Sequence, residues 1–345
     1  MTVTNSSDDY RAVRYEGAGL IDLSARRGRI LVSGRDAAMF LNGLVTNDVK
    51  NLERGSWIPA VFANVQGRLI AAVRIIHRDD GFLIDTETVT RNKVIDLLSR
   101  FTLAGDFRVT DLTDEVSTIS LQGKKAAEIL GSVLGEAAVS LERGGVIRST
   151  FNAKEVTIIR ATHTAEEGFD LFIESNAFGQ LEDALWNADA EIVEDETFEV
   201  LRIEAGIPRF GIDMDENTVV SETCLDDAIS ETKGCYVGQE IIIRIKHRGH
   251  VAKKQTGILL KEAIHLEPGT AVLSEDGNEI GRVTSATISP NLNQTIALAY
   301  LKFDYLKMRT PIKVEIEGVL HEGAVDEIPL LRSSWHGVIE EHMPA

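Results

Sequence analysis

Hydrophobic residues recur along the chain at two spacings, the alternation of half-buried strands and the three-to-four step of amphipathic helices. Residues 19–24 and 28–34 read as short strands, the second closed by glycines. Asp36 then opens a helix over 37–44, its carboxylate near the free amides of the first turn. Residues 58–76 read as two strands that turn near Gln66-Gly67, and 81–86 as a third. Over 90–101, Val94, Leu97, Leu98 and Phe101 fall on one helical face. Residues 116–131 repeat the strand, glycine, helix, glycine order of 29–43, an echo within the chain. Strands at 156–160 and 168–174 precede a helix over 178–188, expected to pack through Phe178, Leu181, Leu185 and Trp186. A helix over 196–206 stops at Gly206, with Pro208 beyond it. Strands and helices mix without strict alternation, which predicts an α+β fold rather than a doubly wound sheet.

After Lys254 the pattern changes to short strands separated by turns, at 255–260, 271–273, 279–285, 295–300 and 312–316, with Asp276-Gly277 as a hairpin turn. That pattern predicts a small all-β barrel. The division falls at residue 250, with the α+β region over 1–250 and the barrel over 251–345.

Composition narrows the function classes. A chain of 345 residues, 43% of them hydrophobic, buries a large core in two or three domains. Residues 1–9 are polar with two acids and no basic residue, unlike a secretory signal or a transit peptide. No apolar run approaches the roughly 18 to 20 residues that span a bilayer, so no membrane partner is expected. Cys224 and Cys235 are the only cysteines, too few to hold an iron-sulfur cluster on four thiolates, and they suit a reducing cytoplasm. The net charge of -18 argues against direct nucleic-acid binding. Locally the sign reverses: between Ile241 and Lys261 stand Arg244, Lys246, Arg248, Lys253, Lys254 and Lys261 with no acid, either a solvated face or a site for an anion. Nothing suggests a coiled coil or a long exposed apolar strand, and a monomer is expected.

Two motif candidates fail on spacing. Gly17-Ala18-Gly19 lacks the third glycine and the preceding strand of a dinucleotide loop. Asp213-Met214-Asp215-Glu216-Asn217 begins like a calcium loop, but Thr218 stands where glycine is needed and Cys224 where glutamate is needed. No nucleophile elbow, phosphate loop or zinc spacing occurs, and no metal site is expected.

Chemistry concentrates in Lys233-Gly234-Cys235-Tyr236-Val237-Gly238-Gln239-Glu240. Gly234 and Gly238 free the backbone around one thiol, while Lys233 and Tyr236 supply a cation and an aromatic face. The β-branched run Ile241-Ile242-Ile243 that follows reads as a strand fed by this loop. Nearby cations would favour the Cys235 thiolate, and the same spacing also suits a buried, inert cysteine in a tight turn.

This octet, with Arg248-Gly249 beyond it, resembles the signature of the YgfZ family of folate-binding proteins, relatives of the glycine cleavage T-protein. The cysteine inside it marks the YgfZ branch. Glu167-Gly168-Phe169-Asp170 resembles the T-protein segment that ends in a pterin-binding glutamate, and Arg202-Ile203-Glu204-Ala205-Gly206 resembles a second shared motif. The resemblance implies two interwoven α+β lobes around a folate pocket, followed by a β-barrel. It implies tetrahydrofolate or a related folate as cofactor, with Asn64, Asp170, Glu204 and Arg248 in its pocket; the cations after Ile241 would suit a polyglutamyl tail. It further implies Cys235 as the essential thiol, Lys233 tuning it, and Gly234, Tyr236, Gly238, Gln239 and Glu240 shaping the loop. The function it implies is assembly or maintenance of iron-sulfur enzymes, including tRNA-modifying ones, with such enzymes as clients. The alternative is a tetrahydrofolate-dependent aminomethyltransferase. Against it stand Ala71 and Ala72, where the T-protein carries an aspartate pair, because alanine neither accepts nor orients a proton. Phe198 likewise stands ahead of the segment where the T-protein carries a folate-contacting arginine.

Overall fold

A computed structural model describes residues 7–136 and 140–336 of the chain. After a short helix α1 (Asp8–Arg11) and a π-helical turn over Ala12–Glu16, the chain lays down β1 (Ala18–Asp22) and β2 (Arg27–Ser33) in different sheets. Helix α2 (Ala37–Leu44) follows, and then β3 (Trp57–Ala63), β4 (Leu69–Arg78), β5 (Gly81–Glu87), α3 (Thr88–Ser99) and β6 (Arg108–Asp111). With β2 these strands complete a five-stranded antiparallel sheet in the order β3-β4-β5-β2-β6. The chain then returns to the sheet begun by β1. It adds β7 (Val116–Gln122), α4 (Ala126–Leu134), β8 (Val146–Phe151), β9 (Lys154–Arg160), β10 (Gly168–Glu174), α5 (Phe178–Trp186) and β11 (Ala190–Ile192). That six-stranded sheet runs β11-β1-β7-β10-β9-β8 and is antiparallel except where β1 meets β11. One lobe is therefore inserted into the other, the interwoven α+β arrangement implied by the resemblance.

Helix α6 (Asp195–Glu204) and the segment after it lead to α7 (Gln239–Arg248) and to β12 (Lys253–Leu260), β13 (Ala271–Leu273), β14 (Glu279–Ser289), β15 (Gln294–Lys302), β16 (Pro311–Ile316) and β17 (Val319–Asp326). The last six strands close into a barrel, β12-β15-β14-β13-β16-β17, which leaves no unpaired sheet edge. Each lobe and the barrel has its own apolar core, around Leu121 and Leu171, around Ile30 and Ile75, and around Leu260 and Val314. Ile203 of α6 packs against Ile296 and Leu298 of β15 and joins the barrel to the lobes. No helix among the described residues is long and apolar enough to cross a membrane.

The internal echo is structural. Each lobe has a strand, a glycine of positive φ and a helix: β2, Gly34 and α2 in one, β7, Gly123 and α4 in the other. A β-carbon on Gly34 would lie 2.1 Å from the Asp106 carbonyl, and one on Gly123 2.6 Å from that of Gly17, so only glycine fits.

Three expectations are corrected. Residues 239–248 are helical, not a strand. Gly238 turns the chain at φ 84, and from there Ile242 is buried while Arg244, Lys246 and His247 lie in solvent, a helical rather than an alternating spacing. Trp186 is 55% exposed, whereas Phe178, Leu181 and Leu185 pack on the core as expected. Strands β6, β8, β11 and β17 are also present without a clear signature: β6 and β8 bury no residue, β11 buries one and β17 two, so little apolar patterning marks them.

Candidate functional site

Between the lobes lies a cleft of about 440 Å³. The turn after β1 contributes Leu23 and Arg26, the start of β2 contributes Arg27, the end of β5 contributes Glu87, and the loop after β9 contributes His163. Helix α6 presents Phe198 to it. The segment after that helix, turned by Gly206 at φ 70, adds apolar Ile207, Pro208, Phe210 and Ile212 and the cation Arg209. The walls are thus aromatic and aliphatic with cations beside them. Arg26 stands 5.1 Å over the Phe198 ring and pairs with Asp195, a carboxylate 85% exposed. Arg209 pairs with Glu199 at 3.0 Å.

Beneath this cleft a buried charge network ties the two sheets together. Arg74 of β4 donates from Nε to Asp85 Oδ2 at 2.6 Å and from Nη1 to Asp170 Oδ2 on β10. Arg27 reaches the same Asp85 oxygen at 2.6 Å. Burial opposes charge on Asp85, but Arg27 and Arg74 outweigh it and hold that carboxyl below the usual range. Asp170 behaves likewise: burial opposes ionisation, and His163 and Arg74 override it. His163 Nε2 donates to Asp170 Oδ2 at 2.9 Å, and the ring meets Phe198 edge-on with centroids 6.4 Å apart. Glu87 carries the opposite balance. Burial raises its pKa more than Arg27 and the N–H of Phe210, which donates to Oε1 at 3.0 Å, bring it down.

The expected pocket residues are dispersed. Asp170 is fully buried behind His163 and Arg74 rather than on the cleft wall. Glu204 receives Arg14 at 2.7 Å, the Tyr10 hydroxyl at 2.8 Å and the Ser289 hydroxyl at 2.5 Å, a structural junction. Asn64 caps the β3–β4 turn, Oδ1 accepting the Gln66 and Arg68 N–H groups at 2.9 and 3.0 Å. Arg248 closes α7, and its side chain lies outside the described residues.

The octet lies apart from the cleft lining. Lys233 is buried, its ammonium donating to the carbonyls of Asn42, Val45 and Asn47 at 2.6, 2.8 and 2.6 Å. Burial lowers its pKa to about 8. It therefore caps the end of α2 rather than being committed to the thiol. Tyr236 is buried beneath it, the Lys233 nitrogen 5.2 Å from the ring centre. Cys235 and Gly234 are exposed. Gly238 packs on Asn64, whose carbonyl a β-carbon would approach to 2.5 Å. Gln239 and Glu240 begin α7 and make no side-chain hydrogen bond among the described residues. The basic run does not form one patch: Lys246 pairs with Glu231 at 2.5 Å, Lys254 with Asp226 at 3.1 Å and Lys261 with Glu322 at 2.5 Å. Cys224 is half-buried with its pKa pushed up to about 11 by burial, and both cysteines are free thiols.

Ala71 and Ala72 stand in the first half of β4. Ala71 faces the core of the five-stranded sheet, and Ala72 packs toward the cluster of Phe210 and Tyr236, on the same side of the strand as Arg74. Arg27, Arg74, Asp85, Glu87 and His163 were not anticipated. A hint lay in Asp85-Thr86-Glu87, two acids two residues apart at the end of an apolar strand.

Comparison with known proteins weighs on the same question. Residues 3–233 match the GCVT N-terminal domain, and residues 253–331 the glycine cleavage T-protein C-terminal barrel domain. An aminomethyltransferase of Nostoc sp. (strain PCC 7120) is 28% identical over 337 residues, covering 95% of this chain and 88% of the relative. One of Chlorobium phaeovibrioides is 31% identical over 340 residues, covering 94% and 90%. The crystal structure of glycine cleavage system aminomethyltransferase T from Bartonella henselae shares the fold, with a TM-score of 0.85 at 20% identity over 94% of this chain and 89% of that one. These relatives overturn the iron-sulfur maintenance function suggested by the octet, because the near full-length likeness is to proteins named aminomethyltransferase. With one match over the interwoven lobes and another over the barrel, the chain belongs to the glycine cleavage T-protein family.

Proposed function

We propose that this protein is a folate-dependent aminomethyltransferase, which moves a one-carbon unit from an aminomethylated carrier to tetrahydrofolate and releases ammonia. The observation that carries this reading is the likeness, over 95% and 94% of the chain, to two proteins named aminomethyltransferase.

The cleft residues suit a folate. Phe198, Ile207, Phe210 and Ile212 offer flat apolar contact for a ring system. Arg26 and Arg209 suit the carboxylates of a glutamyl tail; the exposed partner of Arg26, Asp195, gives up little when a ligand carboxylate replaces it. The Glu87 carboxylate suits the amino-bearing edge of a pterin. Bound tetrahydrofolate would supply the two nitrogens that take up the one-carbon unit. The chain itself contributes shape, a dry apolar wall and charged groups that hold the ligand in one pose. Asp170, buried behind His163, acts on such a ligand only through that ring.

The test is ammonia release by purified protein given tetrahydrofolate and an aminomethylated lipoyl carrier. Ammonia and methylene-tetrahydrofolate appearing in equal amounts support the reading. Protein that binds folate tightly and yet releases no ammonia sinks it.

A further inference from the structure

Resting on the aminomethyltransferase reading, we propose that His163, oriented by Asp170, is the proton-transfer group of the cleft, replacing a carboxylate that β4 does not carry. The transfer needs such a group. One carbon–nitrogen and one carbon–sulfur bond of the carrier adduct break, and two carbon–nitrogen bonds to folate form. The two protons leaving the folate nitrogens end on the departing ammonia and the departing sulfur, and no redox partner is involved. A relay base that accepts a proton and returns it serves both steps. On β4, Ala71 and Ala72 cannot do this, and the next residue on the same side as Ala72 is Arg74, already committed to Asp85 and Asp170.

His163 has the required geometry. It lines the cleft with its side chain 15% exposed, against Phe198. A carboxylate only accepts, so the 2.9 Å contact to Asp170 Oδ2 places the ring hydrogen on Nε2. In the neutral ring Nδ1 then carries the lone pair, and no protein group among the described residues takes that atom. The main chain is fixed as well, the His163 N–H donating to Gln122 Oε1 at 2.9 Å. An imidazole that lines a cleft, with one nitrogen held by a buried carboxylate and the other without a protein partner among the described residues, is the arrangement that makes histidine an oriented base. Asp170 is here a positioning residue. The charges around the ring come from four other elements: Arg74 on β4, with Nη1 3.5 Å from Nε2; Asp85 and Glu87 on β5; Arg26 before β2 and Arg27 at its start; and Arg202 and Arg209 at and after α6.

The experiment uses the full chain and four proteins: wild type, His163→Gln, Asp170→Asn and Glu87→Gln. Folate affinity is measured by fluorescence titration, ammonia release across pH, and the tautomer of His163 by ¹⁵N NMR of the free protein. His163→Gln is expected to fold, to bind folate within about threefold of wild type, and to lose on the order of 100-fold or more in kcat together with one limb of the pH profile. Asp170→Asn is expected to mix the two ring tautomers and to lower kcat more than folate affinity. Wild-type turnover by His163→Gln overturns the assignment, as does a wild-type ring found with its hydrogen on Nδ1. Loss of the pH limb in Glu87→Gln alone overturns it too and transfers the role to that carboxylate. Wild-type protein that binds folate but releases no ammonia fails the aminomethyltransferase reading itself, whereas active wild type with unaffected His163→Gln fails only this assignment.

Discussion

Lys233 has three ammonium hydrogens and three carbonyl oxygens to receive them, at the chain end of α2 where a helix leaves such groups without partners. Lys233→Met keeps the stem but abandons those carbonyls, and about 2 to 4 kcal/mol of stability is expected to go with them, measured as a lower urea midpoint. Cys235, two residues on, is exposed, and nothing in the fold depends on its sulfur. Cys235→Ala is expected to change stability by less than about 0.5 kcal/mol and to leave ammonia release intact. An alanine variant without activity would return the octet to the centre of the chemistry. On the cleft, Phe198 offers a flat contact between His163 and Arg26. Phe198→Ala is expected to raise the folate Kd by about 10- to 100-fold and, because the ring is buried with Val13, Leu23 and Leu201, to lower the urea midpoint of unfolding as well.

At the scale of elements, the strands of the two sheets and most of the barrel were legible because their apolar residues alternate and glycines mark their ends, as at Gly67 between β3 and β4. The run Ile241-Ile242-Ile243 misled because three consecutive branched residues suit a strand by composition, while helix α7 buries fully only Ile242 of them. What decides the matter is Gly238, whose left-handed φ of 84 starts the helix against the Asn64 carbonyl. The cleft was largely illegible for a different reason. Arg27, Arg74, Asp85, Asp170 and His163 come from four strands and a loop in two sheets, and no local spacing announces that they meet. Their meeting has a pH consequence. Asp85 and Asp170 have folded pKa values below the ordinary 3.8, so their contribution is complete above that pH and disappears as pH falls through the depressed values. Acid unfolding of wild type is therefore expected to steepen below about pH 4, and Asp85→Asn to be less stable at neutral pH yet flatter in that window. Parallel acid curves for the two proteins would show that the ion pairs do not couple to folding.

On the scale of the whole molecule, the lobes and barrel meet at two polar junctions rather than through apolar packing alone. At one, Arg202 of α6 pairs with buried Asp213 at 2.8 Å and donates to the Ser285 hydroxyl on β14 at 2.9 Å, directly beside the cleft wall. At the other, Arg14 gathers Glu204 at 2.7 Å and Glu166 at 3.1 Å, all three essentially excluded from water. Glu204 passes the contact on to Ser289 at the end of β14, and Glu166 receives the Ser334 hydroxyl at 2.5 Å beyond the barrel. One guanidinium thus links the N-terminal turn, helix α6, the six-stranded sheet's loop, the end of β14 and the segment that follows the barrel. Removing one member of such a set leaves its partners charged and dry, which costs more than the pairing itself contributes. Arg14→Met is accordingly expected to lose about 3 to 5 kcal/mol, and hydrogen exchange should speed up in α6, at the end of β14 and around 333–334 together. Faster exchange confined to the N-terminal turn would mean that the barrel is seated by the Arg202 junction and the Ile203 contacts alone.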